Sequence, residues 1–127
     1  MLTALIVDYG GVLTDPGDDH DFPLVRAIHN ARRHHLKTAL LSNAGGEAGA
    51  ELTAMFDVVM LSGGKPAPRA YCDTAAKLGV PPDQCVFVDD VRGNVAGAVA
   101  AGMVGVHHTD PATTLAELTA LFGLDLS

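Results

Sequence analysis

Five short apolar runs recur along the chain, and each is four residues long. Most of them are nearly continuous in hydrophobicity, as expected for parallel strands that are covered on both faces. Their length suits strands and is too short for helices. The sequence therefore predicts five strands, at Ala4–Val7, Thr38–Leu41, Val58–Leu61, Cys85–Val88 and Val104–His107.

The segments between these runs carry helical patterns. Glycines follow two of them, at Gly79 and Gly102, as is common at helix C-termini, and Asp110 followed by Pro111 is a good helix start. Alternating strands and helices predict an α/β fold: a three-layer α/β/α sandwich around a Rossmann-like, parallel five-stranded sheet. The predicted helices are Phe22–His35, Glu47–Phe56, Pro68–Leu78, Asn94–Ala101 and Thr113–Phe122.

Polar side chains follow every predicted strand, at the edge of the sheet where ligands bind in such folds. A structural protein has no reason to collect three carboxylates, a hydroxyl, an amide and a lysine at one edge. The sequence therefore predicts a functional site there. The residues are Asp8, Ser42 and Asn43, Ser62 to Lys65, Asp89 and Asp90, and His107 and His108.

These residue types suit phosphoryl transfer. Asp8, Asp89 and Asp90 could hold Mg²⁺, which prefers oxygen ligands. The hydroxyl of Ser42 and the ammonium of Lys65 suit a phosphate or another anion. A metal, a cationic clamp and a carboxylate nucleophile can form an aspartyl-phosphate that water then hydrolyses.

Composition narrows the classes of function. The chain has 127 residues, 48% of them apolar, which is enough for one domain with a real core, and we expect a single domain over 1–127. A net charge of −7 argues against binding to nucleic acid or to an anionic membrane. With no apolar run long enough to span a bilayer and no basic N-terminal region, we expect a cytoplasmic protein in which Cys72 and Cys85 are buried thiols.

Four stretches, in this order, resemble the motifs of the haloacid dehalogenase (HAD) superfamily, whose members are mostly phosphatases. The resemblance extends over nearly the whole chain. It implies a HAD-like core and a phosphorylated small-molecule or macromolecular substrate. The stretches are VDYGGVLT (7–14), LLSNA (40–44), GGKPAPRAY (63–71) and VFVDDVRGN (86–94).

The resemblance also implies residue roles. Asp8 matches the nucleophile, Ser42 the phosphate-binding hydroxyl and Lys65 the lysine that steadies the phosphoryl oxygens, with Asn43 beside them in the substrate site. Asp90 matches the direct Mg²⁺ ligand, and Asp89 is its neighbour in the inner or second shell.

Gly10 departs from the family pattern. HAD phosphatases usually have a second aspartate here, whose carbonyl ligates Mg²⁺ and whose side chain protonates the leaving group. Glycine keeps the carbonyl but loses an acid/base that is worth about 10²–10⁴-fold in rate. We therefore expect weak or narrow activity, least impaired on aryl or acyl phosphates, and Asp15, Asp18 or His20 are candidate replacements.

The chain also lacks room for the cap domain that many relatives insert, because helices and strands fill 9–41 and 66–88. An open site excludes water poorly. The apolar C-terminal helix leaves two interpretations open, a homodimer interface or packing on its own sheet. Asn94 either orients Asp90 or Lys65 or caps a helix, and His107 and His108 have a rim role or a structural one.

Two other functions remain as alternatives. One is a catalytically degenerate HAD-fold protein that binds a phosphorylated ligand or a partner. The other is a haloacid dehalogenase, which does not need a carboxylate at position 10. The pair Asp89 and Asp90 and the lack of arginine in 9–20 count against the dehalogenase. A two-component receiver domain is excluded, because receivers carry the carboxylate pair early in the chain, whereas here the pair Asp89 and Asp90 comes late.

Overall fold

The computed structural model describes residues 1–61 and 63–127. Five parallel strands form one sheet in the order β3-β2-β1-β4-β5. The predicted α/β fold is confirmed, and Ser62, a polar residue predicted at the site, lies outside the described residues. The strands are β1 (Ala4–Val7), β2 (Lys37–Leu41), β3 (Val58–Met60), β4 (Cys85–Asp89) and β5 (Val104–His107).

Five α-helices cover the sheet, and four of them closely match the predicted segments. The exception is the second helix, predicted over Glu47–Phe56, which covers only Ala50–Met55. Gly45 and Gly46 have left-handed backbones before it, and Gly49 is extended at its N-cap, so the helix begins late. The helices are α1 (Pro23–Arg33), α2 (Ala50–Met55), α3 (Pro68–Leu78), α4 (Arg92–Ala100) and α5 (Pro111–Phe122).

Alternate residues of strands β1 to β4 enter two separate hydrophobic clusters, and Val104 and Val106 of β5 both enter one of them. Leu5 and Val7 of β1 face the cluster that contains α1 and α5 residues, whereas Ala4 and Ile6 face the cluster beneath α3 and α4. Both faces of the sheet are therefore covered, which explains why the strands are apolar throughout.

The C-terminal helix α5 packs on its own domain. Asp110 caps it by accepting a hydrogen bond from the Thr113 amide (2.8 Å), and Leu118 is fully buried in the first cluster. Leu115, Leu121 and Phe122 pack against the same cluster. This packing accounts for the apolar face without a second copy of the chain, and a homodimer remains a prediction.

Burial decides the expectation for the two cysteines. Cys85 is buried, but Cys72 is exposed on α3, so the prediction of two buried thiols is wrong for Cys72. Cys72 lies on the solvent side of α3, next to Tyr71, which packs inward. Among the described helices, none is both long enough and apolar enough for a bilayer crossing.

Candidate active site

The sheet register brings the acidic residues together. β1 pairs with β4 so that Val7 lies beside Val88, and Asp8 and Asp89 follow directly at the carboxyl ends of the two strands. The chain order reverses between β1 and β4, and α/β sheets bind ligands at such a switch point. The Asp8 amide continues the pairing by donating to the Val88 carbonyl at 3.0 Å.

Asp8, Asp89 and Asp90 form a carboxylate cluster. One oxygen from each lies within 4.8 Å of the others. The burial of the three residues differs: Asp89 is fully buried, Asp8 is half-buried and Asp90 is exposed. Three converging carboxylates at this spacing suit a hard divalent cation such as Mg²⁺.

Lys65 is the cation within this cluster. Its Nζ atom lies 3.0 Å from Asp8 Oδ1 and 2.8 Å from Asp89 Oδ2, and its side chain is only 1% exposed. The ammonium also lies 5.4 Å from the centre of the Phe87 ring. A buried ammonium needs paired carboxylates of this kind, because an isolated charge is costly to desolvate.

Asn43 positions Lys65 through two hydrogen bonds to its backbone. The Asn43 side chain accepts a hydrogen bond from the Lys65 amide at 3.1 Å and donates to the Lys65 carbonyl at 3.0 Å. These two hydrogen bonds fix the backbone of Lys65 at the edge of the sheet. Substrate binding by Asn43 remains a prediction.

Asp89 is held by several donors of the protein itself. Besides Lys65, the Asn94 side chain donates to Asp89 Oδ2 at 3.1 Å, and the Val91 amide donates to Oδ1 at 3.0 Å. Asn94 therefore orients Asp89, which neither sequence interpretation of Asn94 anticipated. Tyr71 in turn donates from its hydroxyl to the Asn94 carbonyl at 2.5 Å.

Gly11 makes room for the Asp90 carboxylate. A Cβ atom on Gly11 would lie 2.1 Å from Asp90 Oδ2, and the backbone there is left-handed, with φ of +79°. Only glycine fits both conditions. The sequence showed two glycines after Tyr9, but the need for the second one is visible only from the fold. Gly11 thus lets Asp90 join Asp8 and Asp89, and the oxygen ligands that these three carboxylates offer fit a Mg²⁺ ion.

Gly10 is different from its neighbour. Its backbone has φ of −67° and ψ of 128°, which any residue adopts, and a Cβ atom placed there meets nothing within 4 Å. The position where the family carries an acid/base is therefore open space beside the cluster.

Ser42 follows β2 and is 4% exposed. Its amide continues the pairing with β3 by donating to Met60, and its Oγ atom accepts from the Ala44 amide at 3.2 Å. Ser42 and Tyr9, the residue after Asp8, line one small cavity of about 160 Å³. The predicted phosphate-binding hydroxyl thus borders the same space as the β1 end.

The histidines at the carboxyl end of β5, His107 and His108, have structural contacts. His108 is buried, with Nδ1 2.7 Å from Thr114 Oγ1 and Nε2 2.7 Å from Asp15 Oδ2. These contacts link the loop after β1 to α5 and commit Asp15, a candidate replacement acid, to His108. His107 Nε2 lies 3.0 Å from the Asp90 carbonyl.

The electrostatics of the cluster raise two carboxylate pKa values. Burial is the main cause for Asp8, whose pKa stays raised although the Lys65 ammonium opposes the shift. Burial also raises the pKa of Asp90, and its hydrogen bond with the Asp89 side chain adds to the rise. Both shifts mean that the ionised carboxylates are disfavoured where they lie, and a bound divalent cation would favour the ionised form.

Comparisons with known proteins agree with this geometry. Residues 24–102 match the family model of haloacid dehalogenase-like hydrolases. A crystal structure of an uncharacterized protein from Corynebacterium glutamicum superposes with a TM-score of 0.86, at 36% identity over 98% of this chain and 97% of that one.

Two curated proteins are similar to parts of the chain. A phosphatase from Mycobacterium tuberculosis (strain CDC 1551 / Oshkosh) is 36% identical over 88 residues, 61% of this chain and 41% of its own length. Acyl-CoA dehydrogenase family member 10 from Mus musculus is 32% identical over 131 residues, 95% of this chain but 12% of its own length. The chain thus spans less than half of each of these relatives. With the family match and the β1–β4 site, the chain belongs to the haloacid dehalogenase-like hydrolases.

Proposed function

We propose that this chain is a Mg²⁺-dependent phosphatase that works through an aspartyl-phosphate on Asp8, with weak or narrow activity because Gly10 supplies no acid. The observation that carries the proposal is the cluster in which Lys65 contacts Asp8 and Asp89 while Asp90 closes the third side. A nucleophile, a cation and metal-ligand carboxylates within one small volume are what phosphoryl transfer requires.

In this proposal Asp8, Asp90 and the Gly10 carbonyl hold the Mg²⁺ ion. Asp89 instead orients the cluster, since its two oxygens already accept from Lys65, Asn94 and the Val91 amide. A bound Mg²⁺ ion would neutralise charge on the phosphoryl oxygens and lower repulsion between the phosphate and the carboxylate nucleophile.

The residues of the chain then perform two displacements. Lys65 holds Asp8 through Oδ1, which leaves Oδ2 to attack phosphorus. The bond from phosphorus to the leaving oxygen breaks, and that oxygen departs with the electron pair and takes a proton from solvent. Water then attacks the phosphorus of the aspartyl-phosphate, releasing inorganic phosphate and the Asp8 carboxylate, while Ser42 and Lys65 hold the phosphoryl oxygens.

The named phosphatase relative supports a phosphorylated substrate, since it is 36% identical over 88 residues. A dehalogenase is less well supported, because its chemistry has no need of the Asp89 and Asp90 carboxylates.

The test is Mg²⁺-dependent phosphate release from p-nitrophenyl phosphate and acetyl phosphate, with Asp8→Asn as the matched variant. We expect turnover that requires both Mg²⁺ and Asp8, and trapping of a phosphorylated chain that the variant does not form. Turnover that persists in Asp8→Asn or in excess EDTA would show that the proposed mechanism is wrong.

Because Gly10 supplies no acid, it favours a second candidate function, that of a binding protein that does not hydrolyse its ligand. In that case Mg²⁺ and inorganic phosphate bind to the wild type and no substrate is hydrolysed. Calorimetric titration with Mg²⁺ and phosphate, run beside the activity assay, separates the two functions.

A further inference from the structure

An apolar cleft lies beside the candidate active site. It has a volume of about 440 Å³, within the range of small-molecule sites. We define the apolar cleft by six side chains that come from the turn after β1, the start of α1 and helix α2. They are Tyr9, Leu13, Phe22, Val25, Leu52 and Met55.

The apolar cleft adjoins the small cavity that Ser42 lines. Tyr9, Gly49 and Leu52 line it and also line the smaller cavity that contains Ser42. Tyr9 directly follows Asp8 in the chain. A ligand whose phosphoryl group lies between Asp8 and Ser42 would thus extend past Tyr9 into the apolar cleft. A larger cavity of about 630 Å³ borders β3, but among the described residues none of the proposed site lines it.

Two aromatic side chains that line the apolar cleft are partly exposed to solvent. Tyr9 is 43% exposed and Phe22 is 42% exposed. Phe22 also has a left-handed backbone, with φ of 51°, which is unfavourable for a bulky residue. Half-exposed aromatic rings offer faces and edges to another ring.

The charged groups at the cleft favour a leaving group without charge. Glu51 lines the apolar cleft, and Glu47 lines the adjoining cavity. No cation lines either cavity among the residues placed by the structure. Leaving groups with further phosphates or carboxylates would meet like charge there and lose their hydration.

Gly10 adds an independent constraint on the leaving group. Without an acid at that position, the leaving oxygen departs as an anion that is protonated later by water. A phenol has a pKa near 10, whereas an alkanol is a far weaker acid, about as weak as water. Phenolates are therefore far better leaving groups here than alkoxides.

From the cleft and the open position at Gly10 we infer that the substrate is an aryl phosphate, whose uncharged ring lies in the apolar cleft against Tyr9 and Phe22. This inference rests on the proposed phosphatase function and adds the class of its leaving group.

The test compares the binding of phenylphosphonate and methylphosphonate to the full chain in Mg²⁺, by calorimetry. Neither compound can be hydrolysed, so the result does not depend on turnover. We expect phenylphosphonate to bind at least tenfold more tightly, which is about 1.4 kcal/mol. We define the affinity ratio as the dissociation constant of methylphosphonate divided by that of phenylphosphonate. An affinity ratio near one in the wild type would overturn the inference.

Substitutions in the apolar cleft test whether the phenyl ring of phenylphosphonate binds there. Phe22→Asn keeps a residue that tolerates the left-handed backbone, and Met55→Gln keeps length and helix propensity. We expect the ratio to fall below threefold in each. Val99→Asn on α4, which is 57% exposed in the wild type and outside the cleft, is the matched control and should keep the wild-type ratio. A ratio that survives both cleft variants would refute the placement of the ring.

The remaining outcomes separate this inference from the proposed function. If neither phosphonate binds while acetyl phosphate is hydrolysed, the cleft inference fails and the phosphatase stands. If neither binds and nothing is hydrolysed, both fail. If light scattering shows that Phe22→Asn dissociates a dimer and the ratio is unchanged, the occupant is a second copy of the chain and the inference is wrong.

A peptide with phosphonomethyl-phenylalanine identifies the source of the aryl phosphate. Equal affinity for the peptide and phenylphosphonate would assign a small-molecule substrate, whereas tighter binding of the peptide would assign a phosphotyrosine protein. Both results support an aryl leaving group.

Discussion

If the proposed phosphatase function is right, Gly10→Asp should accelerate phosphate release. Position 10 has an ordinary backbone, and its Cβ direction is open for at least 4 Å, so an aspartate can be placed without displacing a neighbour. Replacing glycine in a compatible conformation also reduces the entropy of the unfolded chain, which stabilises proteins by about 0.4–1 kcal/mol. That gain opposes the repulsion from a fourth carboxylate near the cluster, so we expect the variant to fold.

The magnitude follows from what the acid does. General acid–base help contributes roughly 10²–10⁴-fold, which corresponds to a barrier lowered by about 3–5 kcal/mol. The full effect requires a leaving group that needs a proton. We therefore expect about 10²-fold or more on an alkyl phosphate such as glycerol phosphate and less than about tenfold on acetyl phosphate.

The assay is phosphate release from both substrates at saturating Mg²⁺. Gly10→Asn is the matched control, because it has the size of aspartate and cannot act as an acid, and it should leave both rates near wild type. A folded Gly10→Asp protein whose rate on glycerol phosphate equals that of Gly10→Asn would refute the reasoning. So would equal acceleration on both substrates, since that would not be acid catalysis of leaving-group departure.

Three further changes test the site and the core. Gly11→Ala should destabilise the fold by about 1–3 kcal/mol and weaken Mg²⁺ binding, because the new methyl group would overlap Asp90 Oδ2 in a left-handed backbone; the same substitution one residue earlier should do neither. Lys65→Met should lower the free energy of unfolding, measured in EDTA by urea titration at pH 7, by about 3–5 kcal/mol, since it leaves Asp8 and Asp89 without their shared cation. Burial, and to a smaller extent Asp83, raises the pKa of the Cys85 thiol from 9 to about 11, so the unfolded chain ionises first and stability should fall by roughly 3 kcal/mol between pH 9 and 11. Cys85→Val should remove that part of the alkaline loss, and Cys72→Ser should not; an identical slope in both variants would contradict the assignment.

The strands were predictable because they are covered on both faces. Such strands are largely apolar, so a short, nearly continuous apolar run between helical segments identifies them. Ala4–Val7 and Val104–His107 have the predicted bounds. The start of α2 was not predictable in the same way, because glycines before it leave the backbone free to adopt turns as well as a helix.

The convergence of the cluster was predictable, and its internal contacts were not. Parallel strands end at one edge, so polar residues after each strand had to meet there. The donation from Asn94 to Asp89 depends on how far α4 reaches over the sheet, which no spacing in the sequence gives. The same is true of Gly11, whose role appears only when Asp90 is placed against it.

The cluster is also a poor way to stabilise a fold, and this bears on its purpose. Three carboxylates lie together, and the Lys65 ammonium contacts two of them, Asp8 and Asp89. Burial raises the pKa of Asp8 and of Asp90, so their ionisation opposes folding at neutral pH. Apolar residues of similar volume at a strand end would avoid that cost. Residues such as Asn94, Tyr71 and Gly11 nevertheless hold the carboxylates in place rather than letting them turn to solvent. A chain that maintains an unfavourable charge arrangement with this many supporting contacts gains from the arrangement itself, and binding a divalent cation and a phosphoryl group is the gain that fits its chemistry.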